Sequence, residues 1–368
     1  MPAADTGSVV TVEGRLDPDE LGITLTHEHL FVDWTDRFEL PDSPAEQRLA
    51  TAPVSLETMW YVRTHPNNVE DNLTLESFEE AVEETSVFRE AGGQTIVDAS
   101  PKNVGADPVS VREVGRETGL QFVHGTGYYT RNSHPDRVDA ATVAELADEF
   151  VSDVREGIGD TDVRAGLIGE IGLSGRIHDQ EEKVLRAAAR AAARTGAPMS
   201  VHPPGRTPYS QRDRTYPSSR WGLDVLDIAE EEGLSSDRVI LCHMDRSRWY
   251  ESLDYQREIA DRGGYVEYDL YGQQSYFYRE EFNDADPSDI LRSERIAKLI
   301  EDGYASQLLI SQDVYLKSHR RTYGGFGYVH ILDHIQPQLS GLGVSDEQIR
   351  ELLVENPKRL LTFVEPVA

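Results

Sequence analysis

Eight short apolar runs alternate along the chain with segments of helical spacing, and this alternation constrains the fold most strongly. The runs are rich in Val, Ile and Leu and carry little polar alternation, which is typical of strands buried on both faces. They cover residues 22–27, 94–99, 120–127, 163–170, 197–202, 238–243, 264–269 and 307–313. Eight strands that are each followed by a helix predict an α/β fold, the closed (β/α)8 or TIM barrel.

The segments between the runs have apolar residues three and four positions apart, the pattern of helices with one buried face. They lie near residues 75–91, 107–118, 141–157, 179–195, 219–233, 250–262, 288–303 and 328–340. A doubly wound open sheet is the alternative fold. We prefer the barrel, because no glycine-rich phosphate-binding loop follows the first run.

Two segments fall outside the alternation within what we expect to be one barrel domain spanning residues 1–368. Residues 8–14 are predicted to form a small N-terminal hairpin before the barrel. Residues 34–72 are too long for an ordinary connection after the first strand, so we expect an insertion over one mouth of the barrel. No internal repeat or linker between domains interrupts the pattern.

Charge sets this chain apart from several classes of protein. It has 66 acidic and 36 basic residues, a formal net charge of −30 at pH 7, which repels nucleic acid and anionic membranes. The acidic residues are spread over helical segments and lysine is scarce, as in proteins of salt-loving organisms. No apolar run suits a membrane span, no signal-peptide pattern begins the chain, and Cys242 is the single cysteine. We therefore expect a cytoplasmic protein of a halophile, with no nucleic-acid or membrane partner.

Side chains with metal-binding chemistry fall at the ends of five predicted strands. They are His27 and His29 on the first strand, Glu170 on the fourth, His202 on the fifth, His243 on the sixth and Asp313 on the eighth. Barrels of this class carry their chemistry at the carboxyl ends of the strands. Residues i and i+2 of a strand face the same side, so His27 and His29 can point together into the barrel mouth.

Each of these residues also has an ordinary structural interpretation. A histidine near a strand end can be a hydrogen-bonded polar residue, Glu170 can pair with an arginine, and Asp313 can cap a helix. The coincidence of six such residues at one rim instead predicts a binuclear metal site. The predicted ligands are His27, His29 and Asp313 for one ion, His202 and His243 for the other, and Glu170 as a bridge.

Seven segments, taken in order, resemble the phosphotriesterase-related branch of the amidohydrolase superfamily, which includes phosphotriesterase homology proteins and lactonases. They are "LGITLTHEHLFVD", "GTGYY", "AGLIGEIG", "VHPPGR", "CHMDR", "ISQD" and "YGGFGYVHIL", within residues 8–361. The resemblance implies a (β/α)8 barrel with one or two divalent metals and a homodimer. Phosphotriesterase itself has a carboxylated lysine as the bridge, whereas Glu170 stands here, as in the homology proteins. This departure argues against phosphotriesterase activity and for other esters or amides.

The expected chemistry is hydrolysis by a hydroxide that bridges two metal ions, with Zn²⁺ expected first and Mn²⁺, Co²⁺ or Fe²⁺ as alternatives. Asp313 would accept the proton of the hydroxide and deliver it to the leaving group. Tyr129, in "GTGYY", resembles the tyrosine that family lactonases place beside the lactone ring. A packing role at the barrel mouth is its alternative.

Basic residues near the predicted mouth suggest a small anionic substrate. The candidates for substrate binding are Arg206, Arg246, Lys317 and Arg320, although ion pairs with surface carboxylates explain such residues equally well. Our prediction is a lactonase acting on a sugar-acid or phosphorylated sugar lactone. Hydrolysis of an N-acyl amino acid type of amide, or of a phosphoester or phosphotriester, is the alternative. A metal-binding recognition protein is the alternative outside the enzymes.

Overall fold

Eight parallel strands form the centre of the protein in a computed structural model that describes residues 5–174, 177–203, 221–245, 252–273 and 287–367. The strands, β1 to β8 in chain order, are Thr24–Glu28, Thr95–Asp98, Gln121–Thr126, Leu167–Gly172, Met199–His202, Val239–Leu241, Tyr265–Tyr268 and Leu308–Ile310. Each pairs with the next along the chain. Beyond β8, the Asp313 N–H donates to the His27 carbonyl oxygen at 3.2 Å and brings the last strand back to the first. The predicted (β/α)8 fold is confirmed.

Helices between the strands cover the outside of the barrel, at the positions that the apolar spacing predicted. The main helices, α1 to α8, are Phe78–Glu90, Pro108–Thr118, Val143–Arg155, Asp179–Thr195, Trp221–Glu231, Asp254–Asp261, Asp289–Glu301 and Gln336–Gly341. In α4, alanines at helical spacing form a fully buried face. Gly196 ends this helix in the left-handed conformation at φ 80°, which glycine adopts without a steric penalty.

The N-terminal segment forms the predicted hairpin and closes the lower end of the barrel. Strands Val9–Thr11 and Gly14–Leu16 pair antiparallel, so the hairpin runs beyond the predicted residues 8–14. Val9 packs with side chains from the barrel interior and with Leu360 and Leu361. The end opposite the carboxyl ends of the strands is therefore sealed by apolar packing.

The long segment after β1 contains several short elements. The strand pair Val32–Asp33 and Thr74–Leu75 brackets it. Between them lie the helices Pro44–Ala50 and Met59–Val62 and short 3-10 turns. Further short helices occur at Asp136–Ala140, Asp346–Arg350 and Asn356–Leu361. No helix of the described residues is both long and apolar enough to cross a membrane.

Candidate metal centre

The six predicted ligands lie together at the carboxyl ends of the strands. Each is at least nine-tenths buried: His27, His29, Glu170, His202, His243 and Asp313. Overlapping subsets of them bring one ligating atom each within 4.8 Å of the others. The barrel thus brings together residues that are up to 286 positions apart in the chain, as His27 and Asp313 are. The arrangement is a compact buried N/O site.

Glu170 is the centre of one half of the site. Its Oε1 lies 2.7 Å from His202 Nδ1 and 3.0 Å from His243 Nε2. The same oxygen is 3.8 Å from His27 Nε2, which belongs to the other half. A carboxylate that faces imidazoles of both halves has the position that a bridging ligand requires.

Asp313 is the centre of the other half. Its Oδ1 lies 3.2 Å from His29 Nε2 and 3.8 Å from His27 Nε2. Its Oδ2 is 3.9 Å from His243 Nδ1. When N and O ligands each bind one ion at about 2.0–2.2 Å, neighbouring ligand atoms are separated by distances similar to those between Asp313 and these histidines. The geometry suits ion binding at both carboxylates.

The backbone is irregular where it presents these ligands. Among the described residues other than glycine, a positive φ occurs at His243 (55°) and Asp313 (52°). This conformation costs a side-chain-bearing residue of order 1–3 kcal/mol and clusters at functional sites. The pairing register also shifts in β1 between Leu25 and Glu28, and in β4 beside Glu170. Such irregularities re-aim side chains toward a site.

Gly169 allows Glu170 to come close to the neighbouring strand. Its φ is 149°, and a Cβ at this position would lie 2.5 Å from the carbonyl oxygen of Ser200. No side chain can be accommodated there without moving the backbone. The glycine before the bridging candidate is therefore a requirement of the site geometry.

His27 is oriented by two buried carboxylates that the sequence reading did not single out. Its Nδ1 lies 3.0 Å from Asp269 Oδ2 and 3.3 Å from Glu267 Oε2. Its Nε2 is buried without a hydrogen-bond partner among the described residues. With the proton held on Nδ1, the lone pair of Nε2 faces Glu170 and Asp313, as metal ligation requires.

Partners outside the ligand set also orient two other histidines. His243 Nδ1 lies 2.8 Å from Asp269 Oδ1, and the His243 N–H donates to the same carboxylate. His29 Nδ1 lies 2.9 Å from Ser100 Oγ. A ring nitrogen held in this way fixes which nitrogen is left to bind an ion. Asp269 thus connects His27 to His243 beneath the site.

Glu28, between the two histidines of β1, points away from the ligands. Its Oε1 accepts hydrogen bonds from Ser311 Oγ and from the Gln312 N–H at 2.7 and 2.9 Å. Its Oε2 accepts one from the Val314 N–H at 2.9 Å. Glu28 therefore fixes the backbone on both sides of Asp313. The sequence pattern around Glu28 does not reveal this role.

The two central carboxylates are held in the charged form. Burial alone would raise the pKa of Glu170, but the imidazoles of His202 and His27 hold it well below its usual value. Burial acts in the same way on Asp313, where the hydrogen bond from His29 and the charge of His27 lower the pKa. Ionised carboxylates beside imidazoles, which lose a proton when a cation binds them, are the donor set that divalent cations such as Zn²⁺ or Mn²⁺ take. The residues fit the binding of divalent cations.

Tyr129 lies against the His202 side of the site. Its hydroxyl is 3.0 Å from His202 Nδ1. Its ring packs on Trp34 with centroids 5.0 Å apart, and Trp34 in turn faces the His29 ring edge-on at 6.1 Å. An aromatic wall formed by Trp34 and Tyr129 therefore borders both halves of the site.

The predicted substrate-binding residues have different positions. Arg206 and Arg246 lie outside the described residues. Lys317 lies 2.5 Å from Asp71 and is mostly covered. Arg320 is fully buried, pairs with Glu80 at 3.1 Å and donates to a backbone oxygen at 2.9 Å. This burial contradicts the prediction for Arg320, because its guanidinium has no access to a ligand.

The position of Cys242 also differs from expectation. Strand alternation predicts that Cys242 points away from the site, because the adjacent His243 points in. Cys242 instead faces the barrel interior, where its Sγ lies 3.0 Å from Ser200 Oγ and close to His27, Glu267 and Asp269. Alternation fails here because β6 ends at Leu241 and His243 has a positive φ.

Comparison with known proteins agrees with this fold. The model of the phosphotriesterase family matches residues 7–361. The N-acetyltaurine hydrolase of Danio rerio is 36% identical over 358 residues, which are 97% of this chain and 98% of that protein. A resiniferatoxin-binding protein from Rhodobacter sphaeroides superposes with a TM-score of 0.90 and 37% identity, covering 96% of this chain and 95% of that one. The phosphotriesterase homology protein of Escherichia coli, solved with phosphate in its active site, gives a TM-score of 0.74 and 28% identity, covering 93% and 99%.

The barrel with a buried His/carboxylate centre at the carboxyl ends of its strands defines a metal-dependent hydrolase. The chain belongs to the phosphotriesterase family. The family resemblance seen in the sequence is confirmed.

Proposed function

We propose that this protein hydrolyses the amide bond of a small N-acyl amine that carries an anionic group, as N-acetyltaurine does. The observation that carries the proposal is the meeting of six buried ligands around Glu170 and Asp313. The choice of an amide over an ester is supported by full-length relatives named N-acetyltaurine hydrolase, at 36% and 35% identity. The amide was the alternative substrate in the sequence prediction.

In this proposal two ions would be held by the six residues, with His27, His29 and Asp313 on one side, His202 and His243 on the other, and Glu170 between. When bound, divalent cations supply Lewis acidity that polarises a carbonyl oxygen and lowers the pKa of water. Zn²⁺ is our first choice, with Mn²⁺, Co²⁺ and Fe²⁺ as alternatives.

Asp313 moves the proton in the proposed reaction. It is ionised, and its Oδ1 lies 3.2 Å from His29 Nε2. As water adds to the carbonyl carbon, Asp313 accepts the proton that water loses. The C–N bond then breaks, and Asp313 returns the proton to the amine nitrogen, which gives a carboxylic acid and a free amine.

Tyr129 would contribute on the His202 side. Its hydroxyl, 3.0 Å from His202 Nδ1, is placed to donate to the oxygen of a bound carbonyl, whose negative charge grows as water adds. The Trp34 ring next to it excludes water from one flank of the substrate. These two side chains orient the acyl group.

Lactone hydrolysis remains the second candidate, because Tyr129 at this position resembles the tyrosine beside the ring in family lactonases. A lactone also presents a carbonyl, so the same residues would act on it. A recognition protein without turnover is the third candidate, since one similar structure is named as a resiniferatoxin-binding protein.

A substrate panel decides among these candidates. The chain, reconstituted separately with Zn²⁺ and Mn²⁺ at high salt, is assayed with N-acetyltaurine, an N-acetyl amino acid, a sugar-acid lactone and a phosphotriester. We expect the anionic amides to be hydrolysed fastest, and Glu170→Gln to lower the rate by roughly three orders of magnitude through loss of an ion-binding carboxylate. Faster lactone turnover would replace the amide by the lactone. Inactivity on every compound would favour recognition.

A further inference from the structure

Arg37 lies on the aromatic wall beside the metal centre. It ends the short 3-10 turn Thr35–Arg37 in the long segment after β1. Its guanidinium carbon is 4.1 Å from the centroid of the Trp34 ring and 4.8 Å from that of Tyr129. Two aromatic faces therefore hold this cation in place, at distances typical of cation–π interactions.

The same two rings connect Arg37 to the ligands. The Tyr129 ring is 4.9 Å from the His202 ring, edge to face. The Trp34 ring approaches His29 from the other half of the site. Arg37 is thus one aromatic ring away from a ligand of each half. A small substrate with its amide at the metal centre would therefore extend along the aromatic wall toward Arg37.

Arg37 forms no close ion pair within the part of the chain that the structure describes. Its guanidinium shares a hydrogen bond with the Tyr129 hydroxyl, and the Asp36 carboxylate acts on it from a longer distance. No carboxylate there is within ion-pair distance of its guanidinium, although the chain carries an excess of 30 negative charges.

Two other buried arginines are paired, Arg292 with Asp245 at 2.8 Å and Arg320 with Glu80. Buried Arg238, at the other end of the barrel, donates to backbone carbonyl oxygens instead. A fixed, partly covered guanidinium with no carboxylate at ion-pair distance can bind an anionic ligand.

We propose that Arg37 binds the anionic end of the substrate, a sulfonate or carboxylate on the amine side of the scissile amide. The inference rests on the proposed amide hydrolysis and names the residue that selects its substrates. The planar guanidinium offers two parallel N–H groups to two oxygens of such an anion. The aromatic wall then covers the short chain between that anion and the amide.

The test compares two amides that differ in charge. N-acetyltaurine carries the sulfonate, and N-acetylethanolamine has a neutral hydroxyl in its place. We expect Arg37→Met to lower kcat/KM for N-acetyltaurine by roughly 10- to 100-fold, mainly through a higher KM, as expected for the loss of a charge-assisted pair. The value for N-acetylethanolamine should stay within about threefold. N-acetyl-glycine and N-acetyl-β-alanine, assayed in parallel, distinguish a carboxylate from a sulfonate preference.

Two further variants keep this test sharp. Arg37→Lys retains the charge without the planar fork and should give an intermediate loss. Arg48→Met removes an exposed arginine of the same segment and should leave both amides unaffected. Equal losses on both amides in Arg37→Met would overturn the inference, because they would indicate a general disturbance of the site.

A binding measurement separates this inference from the proposed function. Calorimetry with ethanesulfonate requires no turnover. It therefore measures the affinity of the proposed anion site even if amides are not the substrate. Binding to the metal-loaded protein that is lost in Arg37→Met and kept in Arg48→Met supports the site. Ethanesulfonate that binds both variants equally, or does not bind the unmodified protein, overturns it.

Discussion

The backbone N–H of Asp313 donates a hydrogen bond to the carbonyl oxygen of His27 at 3.2 Å. The first strand and the chain beyond the last strand thus meet at two of the predicted ligands, one a histidine and the other an aspartate. Glu28 strengthens this seam by accepting the Val314 N–H and the Gln312 N–H on either side of Asp313. The contacts that close the barrel therefore also position two residues of the candidate site.

Glu28→Gln should weaken this seam. The amide that replaces the carboxylate has one acceptor oxygen, so an N–H donor beside Asp313 loses its partner. We expect the free energy of unfolding to fall by about 1–3 kcal/mol, together with a lower kcat. Chemical denaturation and steady-state kinetics measure the two effects. The exposed Glu83→Gln is the control, and equal behaviour of the two variants would contradict the role of Glu28.

Asp269→Asn should loosen the ions without removing a ligand. Asp269 holds the Nδ1 of both His27 and His243, and an asparagine can accept from only one of them. We expect metal affinity to fall by about 10- to 100-fold, as is usual for partners of ligating histidines. Competition with a chromophoric chelator measures the affinity. Asp160→Asn, at an exposed position, should leave it unchanged; an unchanged affinity in Asp269→Asn would refute the account of ring orientation.

Removal of the ions should destabilise the fold. Without them, the buried carboxylates of Glu170, Asp313, Asp269 and Glu267 lie close together, and the stabilisation from ion binding is lost. We expect a chelator to lower Tm by about 5 °C or more, and Zn²⁺ or Mn²⁺ to restore it. Differential scanning calorimetry tests this. A Tm that does not respond to chelation would argue against resident ions.

Tyr129→Phe should affect turnover more than folding. The hydroxyl next to His202 is lost, while the ring that packs on Trp34 remains. We expect kcat to fall by roughly 10-fold with metal content unchanged. Tyr304→Phe removes a hydroxyl that bonds a surface carboxylate and serves as the control. A full kcat in Tyr129→Phe would leave this residue with a packing role only.

Asp289 should make stability depend on pH. Burial raises its pKa, but hydrogen bonds from His330, the Arg292 guanidinium and the Gly272 N–H outweigh this and lower it. A lowered carboxyl pKa stabilises the fold above the unfolded value of about 3.9, and this contribution disappears as pH falls through the folded value. Asp289→Asn should therefore be less stable at pH 7, with the difference shrinking toward pH 3. Denaturation at several pH values measures the difference, and one that is constant with pH would contradict the prediction.

The fold could be predicted because its signal is local. The apolar pattern of a few consecutive residues indicates each strand and each helix. All eight predicted strands overlap observed ones. The proximity of the candidate ligands could be predicted for a related reason, because a (β/α)8 barrel brings its strand ends to one rim. Once the strand that contains Glu170 is identified, its position at the rim follows.

Other parts of the site depend on contacts between distant segments, which local patterns do not record. Asp269 lies just beyond β7 and acts on His27 across the barrel. Cys242 was misjudged because the backbone at His243 departs from strand alternation. Arg320 looked like a substrate ligand in the sequence, yet a distant carboxylate, Glu80, buries and pairs it. Arg37 was overlooked because stacking on Trp34 follows no sequence pattern.

The most direct test of the account is a titration of the ion-free protein with Zn²⁺, in which N-acetyltaurine hydrolysis is followed. Glu170 facing imidazoles of both halves predicts that activity rises to a maximum at about two equivalents per chain. Glu170→Gln should stay inactive throughout the titration. A maximum at one equivalent, or no hydrolysis of the amide at any equivalence, would contradict the binuclear amide hydrolase.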